Sequence, residues 1–206
     1  MSVILAARNY EGIFVGYDTV SYPRYRLHVL GKVFEVGTPA FIRRYVRKVE
    51  PICEGRGLIG FSGTVHPDHR EFQFVDESLK QLQENCVVNL EQVFQNPELM
   101  NLAFIVGIID GEKTRLFYGK TYSGFEFKET LAHCIYHNYP EPAQLFRSNY
   151  NYGMKREQII DLIRENINEI KKISKEREPI RRIPKGFGLA ELTQNGYREL
   201  IFSKKD

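Results

Sequence analysis

Short apolar, β-branched runs broken by turn residues dominate the first third of the chain, a pattern that predicts paired strands. Ser2 to Arg8 (SVILAAR) and Ile13 to Asp18 (IFVGYD) flank the turn signal Asn9-Tyr10-Glu11-Gly12. After a polar, Tyr-rich stretch, Lys32-Val33-Phe34-Glu35-Val36 reads as a further short strand. Pro39 to Glu50 has Phe41, Tyr45 and Val49 near one helical face, which predicts a short basic amphipathic helix. Gly57 to Ser62 (GLIGFS) is a buried strand by composition. A helix is expected from Pro67-Asp68, carrying Phe72, Val75, Leu79 and Leu82 at helical spacing.

In the second half, Leu102 to Ile109 (LAFIVGII) reads as a fully buried strand, turning at Asp110-Gly111 into Thr114 to Tyr118. From Lys155 to Ser174 the period changes to that of a helix, with Ile159, Ile160, Leu162, Ile163, Ile167, Ile170 and Ile173 on one broad face. Phe187 to Leu192 and Tyr197 to Phe202 close the pattern as a hairpin across Gln194-Asn195-Gly196. Strands thus come in antiparallel pairs rather than alternating with helices. That argues for an α+β fold and against a doubly wound parallel sheet.

Composition narrows the class. With 206 residues, 42% hydrophobic and 27% charged, the chain suits one domain over 1–206 with a sizeable core. A net charge of +3, spread rather than striped, argues against nucleic acid as a partner. Cys53, Cys86 and Cys134 are odd in number and form no CxxC pair, which disfavours a disulfide scaffold or structural zinc and fits a reducing compartment. No apolar run approaches the roughly 20 residues of a membrane span, and no leader pattern opens the sequence. The expectation is a cytoplasmic protein with no membrane partner, no metal and no cofactor.

Several segments, in order, resemble the proteasome β-subunit and HslV-like family of N-terminal-nucleophile hydrolases. They are the first hairpin ending in Gly16-Tyr17-Asp18-Thr19, the Lys-hydrophobic run Gly31 to Val36, and Phe61-Ser62-Gly63-Thr64 before a helix. To these are added the hairpin Ile105 to Tyr118 and the late helix Met154 to Ser174. The resemblance covers most of the chain and implies a four-layer αββα sandwich, two antiparallel sheets between helical layers. It also implies peptide or other amide bonds as substrate, self-assembly into homo-oligomeric rings, and room for an ATPase partner.

The resemblance makes Ser2 the nucleophile once Met1 is removed, its own α-amine acting as the base. An α-amine has a pKa of about 7.7–8.0, so a useful fraction is unprotonated at neutral pH. Asp18 is assigned to orient Lys32, and Lys32 to lower the hydroxyl's pKa and hold positive charge near the oxyanion. The N–H of Gly63 is the implied oxyanion donor. Hairpin geometry adds an independent expectation. If Arg8 pairs with Gly12, Ser2 falls opposite Asp18, with Cβ atoms roughly 4.5–5.5 Å apart.

Two segments motivate a second reading, a catalytically inactive proteasome-like scaffold or interaction subunit. The family's Gly-Ser-Gly segment has no counterpart in Ala132 to Pro140, and its late Asp and Ser none in Glu176 to Lys185.

Other features have bland readings beside sharp ones. His66-Pro67-Asp68-His69 reads as a helix start with surface histidines rather than a metal site. His133 and His137 flank Cys134 at a spacing that would let a helix offer both to one metal. With no third ligand evident, packing or surface placement is the favoured reading. Arg43, Arg44, Arg47 and Lys48 read as a solvated helix face or a partner contact, and Tyr139 to Tyr152 as a surface loop or an interface.

Overall fold

A computed structural model describes residues 3–21, 24–29, 32–37, 44–45, 47–63, 102–120, 126–137, 139–177 and 186–203. They form an α+β fold built on two five-stranded antiparallel sheets and two helices.

The amino-terminal hairpin, β1 (Ile4–Arg8) and β2 (Gly12–Asp18), lies at the heart of the first sheet. Asn9 sets its register. Its Oδ1 accepts the N–H of Glu11 at 2.8 Å and of Gly12 at 2.9 Å, an Asx turn that draws four residues into the loop. Arg8 therefore pairs with Ile13, not Gly12, and Ile4 with Tyr17. The expected alignment is corrected by one residue: Val3, not Ser2, stands across from Asp18, whose N–H donates to the Val3 carbonyl at 3.2 Å.

In the chain between β2 and the second sheet come two small ladders. β3 (Val20–Ser21) pairs with β6 (Arg44–Tyr45), and β4 (Arg24–Val29) with β5 (Lys32–Gly37). β7 (Val49–Ile52) follows and joins β8 (Gly57–Gly63) through a tight turn, Cys53–Gly55. The short helix expected over Pro39 to Glu50 is contradicted where the chain is described. Val49 pairs with Gly60 in a ladder and is fully buried, so one strand face, not a helical stripe, satisfies it. Pro51 is tolerated because β7 is an edge strand.

β9 (Leu102–Asp110) and β10 (Lys113–Lys120) form the central hairpin of the second sheet, with Gly111 at φ 60° in the turn. β11 (Glu126–Thr130) completes it, giving the order β11-β10-β9-β8-β7. β12 (His133–Tyr136) then returns to the first sheet beside β1. α1 (Pro140–Asn149) and α2 (Arg156–Arg177) lead to the last hairpin, β13 (Phe187–Thr193) and β14 (Gly196–Phe202). The first sheet reads β12-β1-β2-β13-β14.

Alternation sorts the side chains into layers. Ile4, Ala6, Ile13, Val15 and Tyr17 face the second sheet and pack with Val49, Leu58, Ile105 and Leu116. Leu5, Ala7, Phe14 and Leu189 face the helices, meeting Phe146 of α1 and Ile159, Ile163 and Ile167 of α2. Gly16 is where α2 comes closest: a Cβ there would lie 2.4 Å from the Ile163 side chain. A helix layer and two sheets are thus stacked. On the far face of the second sheet Ile59, Phe104 and Val106 are fully buried as well.

The helix expected near Pro67-Asp68 and the His66 to His69 cluster lie outside the described residues, as do Cys86 and Thr64. No helix among the described residues is long and apolar enough to cross a membrane.

Candidate active site

The ends of β1 and β2 and the start of β7 meet at one end of the sandwich, and Asp18 lies at that junction. Only 1% of the residue is exposed. A carboxylate so buried needs charge and hydrogen-bond compensation. Oδ1 accepts the N–H of Val3 at 2.5 Å. The ammonium of Lys48 donates to Oδ1 and Oδ2, each at 2.7 Å. The Lys48 side chain is itself only 9% exposed.

The lysine on Asp18 is therefore Lys48. Lys32, to which the resemblance assigned this place, lies on β5, its backbone opposite Val29 in the separate β4–β5 ladder; its side chain is outside the described residues. Topology explains the difference. The small ladders occupy the chain between β2 and β7, and Lys48 is the residue that enters the second sheet directly against the end of β2. In the sequence Lys48 immediately precedes a strand ahead of Gly57–Gly63, much as Lys32 begins one, so nothing there separates the two.

The pair is braced on both sides. Arg47 donates to Glu199 Oε2 at 2.9 Å and lies over the Phe202 ring, 5.6 Å from its centroid. Glu199 also accepts the Tyr17 hydroxyl at 3.3 Å. Burial, with Glu199 beside it, holds that phenol protonated. Thr19, fully buried, donates its hydroxyl to the Ser203 carbonyl at 3.2 Å.

On the helix side, Phe187 is the ladder partner of Asp18. Lys171 of α2 holds its Nζ 4.5 Å from the centre of the Phe187 ring. Burial pushes the Lys171 ammonium down to about 8, against the opposing pull of Asp18. Asp18 thus feels amines from two layers, Lys48 beside the second sheet and Lys171 beneath the helix. Sequence reasoning missed both. Lys171 is one of several cationic residues on an exposed-looking helix end, and nothing in spacing marks it.

Of the remaining expected site residues, Ser2 and Met1 lie outside the described residues. Gly63 is the last residue of β8, paired with Leu102. The two histidines are not on a helix. His133 lies on β12, its ring edge-on to Phe146 and Tyr150 at 5.7 and 5.0 Å between centroids. His137 follows that strand, and its Nδ1 accepts the N–H of Tyr139 at 3.1 Å. Four residues of extended chain span about 13 Å, too far for one ion, so the shared-metal reading is corrected to packing. Cys134, between them, is buried, and its thiol is pushed up to about 12 by burial. Among the described residues no three His, Cys, Asp or Glu side chains come together as a metal site.

No protein-family model matches the chain, and no curated protein matches it either.

Proposed function

We propose that the chain is an N-terminal-nucleophile hydrolase of the proteasome-like type, cleaving peptide or other amide bonds at Ser2 after loss of Met1. One observation carries this reading: the N–H bound by Asp18 belongs to the peptide linking residues 2 and 3, and the same carboxylate oxygen receives the Lys48 ammonium. A buried acid–amine pair is thus anchored one residue from the proposed nucleophile. Ile4 and Ala6 of β1 face the second sheet, the side from which Lys48 enters.

In this scheme the Ser2 hydroxyl adds to the amide carbonyl carbon while its proton passes to the Ser2 α-amine. Lys48 supplies the positive charge first assigned to Lys32, and the Gly63 N–H faces the developing oxyanion. The C–N bond breaks, and the leaving amine takes the proton. Water then hydrolyses the Ser2 ester, releasing the acid and restoring the hydroxyl. No cofactor enters.

The finer architecture belongs to the same proposal. The helical pattern carrying Phe72, Val75, Leu79 and Leu82 would cover Ile59, Phe104 and Val106, adding the fourth layer of an αββα sandwich. Ring assembly is favoured by apolar residues on adjoining turns: Tyr10, Leu131 and Tyr152 are all exposed. Backbone and side-chain bonds tie those turns together, from Arg8 to Ala132 and from Asn9 to Met154.

Intact-mass measurement followed by incubation with a β-lactone tests the reading. The expected result is a chain lacking Met1 that gains one adduct on Ser2, with no adduct in Ser2→Ala. Met1 retained on essentially every chain would remove the amine base and overturn it, leaving a scaffold.

A further inference from the structure

Arg8 lies at the opposite end of β1 from the Asp18 junction, roughly 17 Å along the strand. The residue is only 8% exposed. Two of its guanidinium nitrogens, Nε and Nη1, are buried with no hydrogen-bond partner among the described residues. A guanidinium cannot shed its proton to escape burial. Left without a counter-charge, it is among the costlier things a folded chain can enclose.

The obvious local acceptors are already engaged. The Ala132 carbonyl receives the backbone N–H of Arg8 itself at 2.9 Å. The Arg8 carbonyl receives the Tyr150 hydroxyl. Glu129, the nearby acid, presents both oxygens to Arg115, Oε1 to Nε at 3.1 Å and Oε2 to Nη2 at 2.7 Å. That grip holds the Glu129 carboxyl below its usual range, with burial opposing and Arg8 adding a smaller pull in the same direction. Water could fill the donors, but only a negative charge answers the cation. Arg115 is itself shared with Asp110 at 3.3 Å, so among the described residues no acid in this corner is given to Arg8 alone.

We infer that Arg8 forms a binding site for a small oxyanion, of the phosphate or carboxylate class, at the end of the sandwich remote from Asp18. The anion would accept from Nε and Nη1 and neutralise the guanidinium, in a corner bounded by β1, β11 and the turn before β12. The inference is independent of the hydrolase reading and of Ser2.

Thermal unfolding of the full chain tests it, with inorganic phosphate or acetate titrated against sodium chloride of equal ionic strength. Phosphate at about a hundred times its Kd should raise the melting temperature by roughly 5 °C, and acetate shows whether a carboxylate serves as well. Arg8→Met, of similar length and uncharged, should melt no lower than the parent in anion-free buffer and should lose the shift. Glu129→Gln should keep or strengthen it. An equal rise in Arg8→Met, or no rise beyond chloride in the parent, overturns the site. So does a Glu129→Gln variant that loses stability while phosphate has no effect, because Arg8 would then be paired internally.

Discussion

Two carboxylates are buried in the first sheet, and they are satisfied in opposite ways. Asp18, at the end of β2, is held by one buried ammonium and one backbone N–H at the chain's beginning. Glu191, on β13 and only 3% exposed, is held by two guanidinium groups. Arg156 donates to its Oε2 at 2.8 Å, and Arg198 Nε to its Oε1 at 2.8 Å. Arg156 opens α2, so Glu191 staples the helix to the last hairpin. Both arginines reach solvent, with side chains 28% and 63% exposed. Guanidinium groups are permanent charges that grip without exchanging protons. The lysine at Asp18 is a compact charge, shielded from water. One arrangement reads as a clasp and the other as a site, and burial of the cation is what separates them.

Breaking each pair should sharpen the contrast. Asp18→Asn or Lys48→Met strands a buried partner, and each should cost about 3–5 kcal/mol in denaturant unfolding. Replacing both, Asp18→Leu with Lys48→Met, should recover much of that loss, since no charge is left buried. A loss under 1 kcal/mol in the single variants would mean that water reaches the pair. At the other carboxylate, Glu191→Gln should cost less, about 1–3 kcal/mol, because both arginines can turn to water. An equal loss at the two sites would erase the distinction.

A smaller effect concerns the helix side of the first sheet. His137 receives the Tyr139 N–H at Nδ1, so its neutral ring carries the proton on Nε2. Burial first, and Arg147 second, push its pKa down to about 4 from 6.5. His133 is lowered by the same two causes in the same order. With the folded pKa below the unfolded one, the unfolded chain takes the proton first as pH falls. Stability is then full above about pH 6.5 and declines toward pH 4, by up to about 1.4 kcal/mol per pH unit for each proton. Urea unfolding across that range should show the decline, and His137→Gln should flatten it. An unchanged slope in the variant would place the His137 ring in water.

Much of this fold was legible because its strands are short, apolar and bounded by strong turns. The Leu102 to Tyr118 hairpin and the Phe187 to Phe202 hairpin follow from Asp110-Gly111 and Asn195-Gly196. The apolar stripe of α2 is likewise buried, except that Ile173 is only partly so, with Asn166 and Ser174 added to it. What escaped depended on partners distant in sequence. α1 begins at Pro140 but buries only Pro142, Ala143 and Phe146, too few to stand out from a Tyr-rich run. Val49 mimicked a helical position while serving a strand. The hairpin register turned on one side chain, since Asn9 closes two N–H groups and shifts every pair by a residue. Asp18 was singled out by the resemblance, and its place at the end of a hairpin was legible. Its lysine was not, because Lys32 begins one strand, Lys48 immediately precedes another, and only topology distinguishes them.

The central claim is the proposal that Lys48, through Asp18, serves Ser2 as the nucleophile. Peptide mapping after β-lactone treatment tests it most directly, comparing Lys48→Met with Lys32→Met in chains shown by cooperative melting to be folded. The predicted result is an adduct on Ser2 in the parent and in Lys32→Met, reduced at least about a hundredfold in Lys48→Met. Full labelling of Lys48→Met, or loss confined to Lys32→Met, would contradict it.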